Sequence, residues 1–355
     1  MKMRNKNSEI SAVSRRDTKR FGFCARALLL SAGAFAIILA QTANVNAGKK
    51  ADGRPLWVPN AAGDTIVEFT TAQRAASGSP APEATIDSAA LEFPTSVVFD
   101  PSGNMWVANA GASDIIEFTA AQLVDLGATP NPAPAVTVTT SGLEDPLADF
   151  DKSGNLWVTD HDTEEIFEFS KKQLKTGGDI TPKVTILSSD LDGARNIAFD
   201  HKGNLWISND ESNQIVEFAK KGLAKGGTLT PAVIISDDGS ESLDDCDGIA
   251  FDSDHNLWVA NSDNNTIVEF APSSLKTTGS STPAVTIGAT DGSLSGPVGI
   301  GFDAKGNLWV ANFKGDTVVE FLRSQIMSSG SPTPTVTISG TSDSLDGPEQ
   351  FSFGF

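Results

Sequence analysis

The chain is short of the residues that most often carry chemistry: two cysteines and three histidines in 355 residues. One cysteine, Cys24, lies in a leader segment, so Cys246 is left alone and no internal disulfide can form in the rest of the chain. A small buried role suits it better than a reactive one. With so few imidazoles the sequence offers no histidine–glutamate pair, no thiol–imidazole pair and no zinc site, and neither a serine triad nor a phosphate loop appears. Cationic residues are also scarce: Lys and Arg number 26 against 45 acidic residues, for a net charge of −19. Such a surface repels phosphate backbones and anionic lipid, which argues against nucleic-acid and membrane partners. Long apolar runs are absent apart from residues 27–40.

That run has a particular setting. Eight basic residues, Lys2 to Arg26, oppose only Glu9 and Asp17 within the first 47, and Val45-Asn46-Ala47 supplies small residues after the apolar stretch. Basic, then apolar, then small is the order of a secretory signal peptide, and the run is short for a membrane helix. The expected organisation is a signal peptide over 1–47, a short leader over 48–53 and one domain over 54–355, exported to the periplasm or the medium. Without the eight basic and two acidic residues of the leader, the net charge is −25 rather than −19.

What the sequence does contain is a repeat. Trp57, Trp106, Trp157, Trp206, Trp258 and Trp309 recur every 49 to 52 residues, and each is followed 12 residues later by a phenylalanine: Phe69, Phe118, Phe169, Phe218, Phe270 and Phe321. A fixed period of this length means one supersecondary unit copied along the chain. Each unit holds four short runs of strand character. In most copies the first hairpin turn reads D-x-x-G-N, as in Asp303 to Asn307, where Asp bonds the backbone ahead and Gly takes a positive φ. Four-stranded units at this spacing are blades, so the expected fold is an all-β, six-bladed β-propeller. The domain begins at a second strand, Leu56-Trp57-Val58, and ends at a first strand, Gly347 to Phe353. Pairing of the two closes the ring, and a monomer is expected.

The phrase Gly299-Ile300-Gly301-Phe302-Asp303, with Gly306-Asn307-Leu308-Trp309-Val310-Ala311-Asn312 and its counterparts, resembles NHL-type propellers and the wider gluconolactonase-like and virginiamycin B lyase-like group. The resemblance spans about 54–355. It implies the fold firmly and function only loosely, because one fold hosts many activities.

A repeat separates scaffold from site. Residues present in every copy serve the blade: the six Trp, the third-strand glutamates from Glu68 to Glu320, and the residues that end the second strands, Asn60, Asn109, Asp160, Asn209, Asn261 and Asn312. Residues that break the pattern at the mouth of the central channel are the candidates for function. At the start of the first strands the copies carry Thr95, Leu147, Arg195, Asp247, Val298 and Glu349, with Leu147 in a copy one residue shorter. Arg195, Asp247 and Glu349 stand out, together with Asn196 beside Arg195, and Asp149 interrupts an apolar strand. His161 follows Asp160 on the same face and is a candidate base or ligand; His201 and His255 fall in first hairpin turns on the opposite face. The acidic stretch from Asp237 to Asp247 matches no calcium loop and reads as solvated.

Two functions follow. In one, the variable face binds a small molecule or an exported protein. In the other, the gluconolactonase resemblance implies a divalent cation (calcium, magnesium, manganese or zinc) held by Asp247 and Glu349, acting as Lewis acid in a hydrolase or lactonase. Arg195 stands where that resemblance implies an asparagine ligand, and a cation there disfavours the metal. Whether the protein is an enzyme stays open at this point.

Overall fold

The computed structural model describes residues 53–340 and 344–354. The chain divides into two units at Lys49 and Lys50, and the second, Lys50–Phe355, carries the repeat. The expected signal peptide over 1–47, with Cys24, lies outside the described residues.

Six antiparallel sheets follow one another along the chain. In the second blade the strands are Pro94–Phe99, Met105–Asn109, Asp114–Phe118 and Val136–Thr139, and the other blades repeat that order. The D-x-x-G-N turn sets the first hairpin. Asp100 Oδ1 accepts from the backbone N–H of Ser102 and Asn104, Asn104 Nδ2 donates to Asp100 Oδ2 at 2.9 Å, and Gly103 has φ +83°. This local network fixes the hairpin from contacts within the turn alone.

The ring closes through the C-terminus. Ser352–Phe353 pairs antiparallel with Leu56–Asn60 through Trp57↔Ser352 and Leu56↔Phe353, so the first blade contains the two ends of the domain. The tryptophans hold blade to blade. Each one meets a phenylalanine on the first strand of the next blade: Trp57 with Phe99, Trp106 with Phe150, Trp157 with Phe199, Trp206 with Phe251, Trp258 with Phe302 and Trp309 with Phe353. Centroids lie between 5.9 and 6.5 Å apart in tilted or edge-on geometry, a favourable aromatic arrangement. The last of these contacts is made by the closing strand, and Arg74 covers it, its guanidinium 5.1 Å from both the Trp309 and Phe353 rings.

The blades are not uniformly four-stranded. The second, third and fourth have a fifth, two-residue strand, Gly178–Asp179, Gly227–Thr228 and Gly279–Ser280 respectively. Each comes from the outer connection of the following blade and pairs parallel with the fourth strand of the blade before it. Single bridges, Ile287↔Gly330 and Gly78↔Ile338, do the same for the fifth and sixth blades. A fourth strand is otherwise an open edge, and this cover satisfies its outward groups.

The first strands crowd at the centre. A Cβ on Gly248 would lie 2.3 Å from Val298 O, and one on Gly299 would lie 2.6 Å from Glu349 O. Only glycine permits that approach.

Candidate functional site at the channel mouth

The register of the first two strands explains how particular side chains reach the mouth. Pairing jumps between Pro94 and Ser96, Ala194 and Ile197, Cys246 and Ile249, and Pro297 and Gly299. Thr95, Arg195, Asp247 and Val298 sit in these bulges, devices that turn a side chain out of the ladder. The fifth blade's first strand therefore runs over Cys246–Phe251, beginning earlier than its apolar run suggests. The third blade has no bulge: Pro146 pairs with Asp160 and Leu147 with Thr159 in sequence. Leu147 thus corresponds to Ser96 and Gly299, one position further on, and the third blade has no bulge residue to match Thr95, Arg195, Asp247 and Val298.

Arg195 occupies the centre of the constellation. It is 7% exposed; its Nε donates to Asp210 Oδ2 at 3.0 Å and one terminal nitrogen donates to Asp145 Oδ2 at 3.1 Å. Burial alone would ease its proton off. The fields of Asp145, Asp247, Asp210 and Glu349 outweigh burial and hold the guanidinium charged. Asp247 and Glu349 are buried, as is Asn196. The backbone N–H of Asn196 donates to the Ser208 hydroxyl, which in turn donates to the backbone carbonyl of Asp247, tying two first strands together.

His161 joins the same group. Its Nε2 lies 3.2 Å from Asp210 Oδ1 and its Nδ1 3.0 Å from Asp162 Oδ1. Burial works against its charge, as does Arg195, but the hydrogen bond and charge of Asp210, with Asp162, prevail and raise its pKa to about 9. At neutral pH His161 is an acid rather than the base considered from sequence. Asp210 is buried, which opposes ionisation, yet His161 and Arg195 together keep it lowered and charged.

Asp145 and Asp210 are absent from the sequence-derived candidates. Asp210 follows Asn209 just as His161 follows Asp160, a position held elsewhere by Ala61, Ala110, Ser262 and Phe313. That register carried the signal. Asp145 precedes the first strand where the other blades have Phe93, Gly193, Asp245, Gly296 and Gly347, all at φ between +51 and +68°.

Asp149 does not join the cluster. It lies further down its strand, opposite Trp157, where sister blades have Val98, Ala198, Ala250 and Gly301. Burial pushes its carboxyl up to about 7, against one hydrogen bond from the Phe150 N–H and with Asp151 adding to the rise.

The repeated residues serve the frame. Asn60, Asn109, Asn209, Asn261 and Asn312 donate to carbonyls of the incoming link, at Ser344, Ala90, Asp190, Ser242 and Ser293 respectively. Asp160 does the same job in reverse, accepting from Glu144 N–H at 2.6 Å. Cys246 is buried, with Sγ 3.1 Å from Asn209 O, and burial followed by the charges of Asp210, Asp247 and Asp245 holds its thiol well above the usual range. It is not a nucleophile.

A divalent metal at Asp247 and Glu349 does not fit this donor set. The guanidinium of Arg195 already sits in their field, and among the described residues no three His, Cys, Asp or Glu come together as ligands.

The family described as the SMP-30/Gluconolactonase/LRE-like region matches residues 148–290, which include His161, Arg195, Asn196, Asp210 and Asp247 but not Glu349. The chain is a six-bladed propeller related to that group. No curated protein matches it in sequence. Among solved structures, the fold is shared with a catalytically inactive virginiamycin B lyase from Staphylococcus aureus determined with quinupristin, at 13% identity and TM-score 0.52, over 78% of this chain and 83% of that one. A nidogen/laminin complex gives 12% identity and TM-score 0.60 over 85% and 99%. A Bacteroides caccae protein gives 13% identity and TM-score 0.53 over 81% and 98%. At these identities the likeness is one of fold.

Proposed function

We propose that this gluconolactonase-related propeller is an exported hydrolase of the lactonase class, acting on a small polar molecule at the channel mouth with Arg195 as its fixed positive charge. One observation carries the reading: Asp210 ties a protonated imidazole, His161, to a buried guanidinium, Arg195, where the third and fourth blades both depart from the repeat. Ring opening of a lactone needs three things there. A carboxylate, Glu349 or Asp247, takes a proton from water as the water oxygen bonds to the carbonyl carbon. Arg195 faces the oxyanion that forms, in a position set before the reaction begins. His161 gives its proton to the leaving alkoxide as the ring carbon–oxygen bond breaks, and the proton on the carboxylate then restores the imidazolium. Asp210 positions both cations and touches no substrate. The carboxylates around the mouth disfavour an anionic substrate.

A second reading, binding without turnover, is favoured by the burial of the cluster, with Arg195 7% and Asp247 and Glu349 each 4% exposed. The two readings part on a panel of five- and six-membered sugar lactones and aryl esters, followed by acid release at neutral pH. The lactonase reading expects turnover that falls about 100-fold or more in Arg195→Lys and His161→Gln, the scale of losing one electrostatic or proton-donating group. A folded protein that turns over nothing in the panel sinks it and leaves the binding face.

A further inference from the structure

The repeat reveals a second departure, on the face opposite the mouth. In four blades the first hairpin turn has glycine at its fourth position, Gly103, Gly154, Gly203 and Gly306, with φ between +79 and +86°. The fifth blade has His255 there at φ +69°. A side chain in the left-handed region costs about 1 kcal/mol relative to the right-handed one. The turn gains nothing in return, for its bonds are those of its sisters: His255 N–H to Asp252 O at 3.1 Å and Asn256 Nδ2 to Asp252 Oδ2 at 2.8 Å.

The fourth blade has its own departure beside it. His201 takes the second turn position, held in other blades by Pro101, Lys152, Ser253 and Ala304. Its carbonyl is anchored by Lys152 Nζ at 2.9 Å. The fold brings the two imidazoles face to face, with centroids 4.0 Å apart and planes 19° from parallel. Both side chains are exposed. Two of the three histidines in the chain therefore meet, from different blades, at positions where neither serves its turn.

We propose that His201 and His255 together bind one divalent transition-metal ion of the zinc, nickel or copper class. Imidazole is the side chain these ions select. Because both rings are exposed, each can turn about its Cβ–Cγ bond to aim a nitrogen at a shared ion without moving the backbone. The nearby charges offset one another, with Asp254 on the same turn paired to Arg323 at 2.6 Å and Lys152 on the His201 carbonyl, so the two imidazoles carry the affinity. Among the described residues no third His, Cys, Asp or Glu completes a ligand set, so water fills the remaining positions and the ion exchanges. This site is separate from the channel mouth and stands or falls independently of the lactonase reading.

The test uses the full chain carrying no histidine tag, titrated calorimetrically with Zn²⁺, Ni²⁺ and Cu²⁺, with the Cu²⁺ complex read by electron paramagnetic resonance for nitrogen coupling. His255→Gly restores the sister-blade residue and His201→Lys installs that of the third blade, so neither threatens the fold. One ion per chain with two coupled nitrogens, weakened at least tenfold in each variant while the metal-free melting midpoint holds or rises in His255→Gly, is the result expected. Absence of binding to the wild-type chain overturns the proposal. Binding that survives either substitution overturns it equally.

Discussion

Asp210 Oδ1 stands 3.2 Å from Nε2 of His161, a residue 49 positions away on the neighbouring blade. With the other oxygen on Arg195 Nε, this one carboxylate spans the joint between the third and fourth blades. The joint is therefore electrostatic at its upper rim, although tryptophan and phenylalanine close it lower down, at Trp157 and Phe199.

A pH dependence follows with a definite sign. The folded pKa of His161, about 9, lies above the ordinary value of 6.5. The stabilisation is thus complete below pH 6.5 and fades as pH rises through 9. It amounts to about 3 kcal/mol at most, counted once for the His161–Asp210 pair. Urea midpoints taken at pH 6 and pH 10 should fall in the wild-type chain and change much less in His161→Gln. In Asp210→Asn the imidazole resonance of His161 should titrate well below 9, while Asp210→Glu keeps it high. An unmoved titration in Asp210→Asn would contradict the assignment.

Loss of Arg195 should be severe. Arg195→Met leaves the buried Asp210 and the partly exposed Asp145 beside an apolar group, and breaking the buried Arg195–Asp210 pair on one side costs about 3–5 kcal/mol. Chemical denaturation at pH 7 measures it. A loss below about 1 kcal/mol would mean that the carboxylates relax into solvent.

Asp149 should behave in the opposite way. Its folded pKa, raised to about 7 from 3.8, makes its contribution complete below pH 3.8 and lost as pH rises through 7. Asp149→Asn keeps an oxygen for the Phe150 N–H and removes the charge. The variant should melt higher than wild type at pH 8, by less at pH 5, and level with it only near pH 3.8. Equal midpoints at pH 8 would show that the carboxylate is solvated.

The crowded centre supplies a steric test. Gly248→Ala places a methyl 2.3 Å from a backbone carbonyl on the neighbouring strand, and overpacking of this kind costs about 1–3 kcal/mol. Gly127→Ala, with nothing within 4 Å of its added carbon, is the control and should leave the melting midpoint near that of wild type.

How much of this could be read beforehand depends on what repeats. The Trp–Phe spacing announces the blades, and the first-strand motif that ends in Phe353 announces the closure that Trp309 receives. Bulges leave no such mark. The two-for-one pairing at Arg195 is invisible until strands are in register, which is why Leu147 aligns one place off. Asp145 lies on a link whose length varies and Asp210 in the turn after a second strand, both outside the strand starts, so the sequence pointed to Arg195 without naming its partners. The fifth strands escape notice for a similar reason: Gly227 and Gly279 look like loop punctuation, and only the preceding blade turns them into ladder.

Those short strands run one way round the ring. Gly178 completes the blade before its own, Gly227 the next such edge and Gly279 the one after, with Gly330 and Gly78 continuing the sense. The unit that repeats in the sequence is consequently not the unit that stands alone in space: a blade cut out as one period leaves its predecessor bare and takes an unmatched strand with it. A viable excision or graft must start inside one outer connection and end inside the next, shifting the frame of modularity by about a third of a repeat.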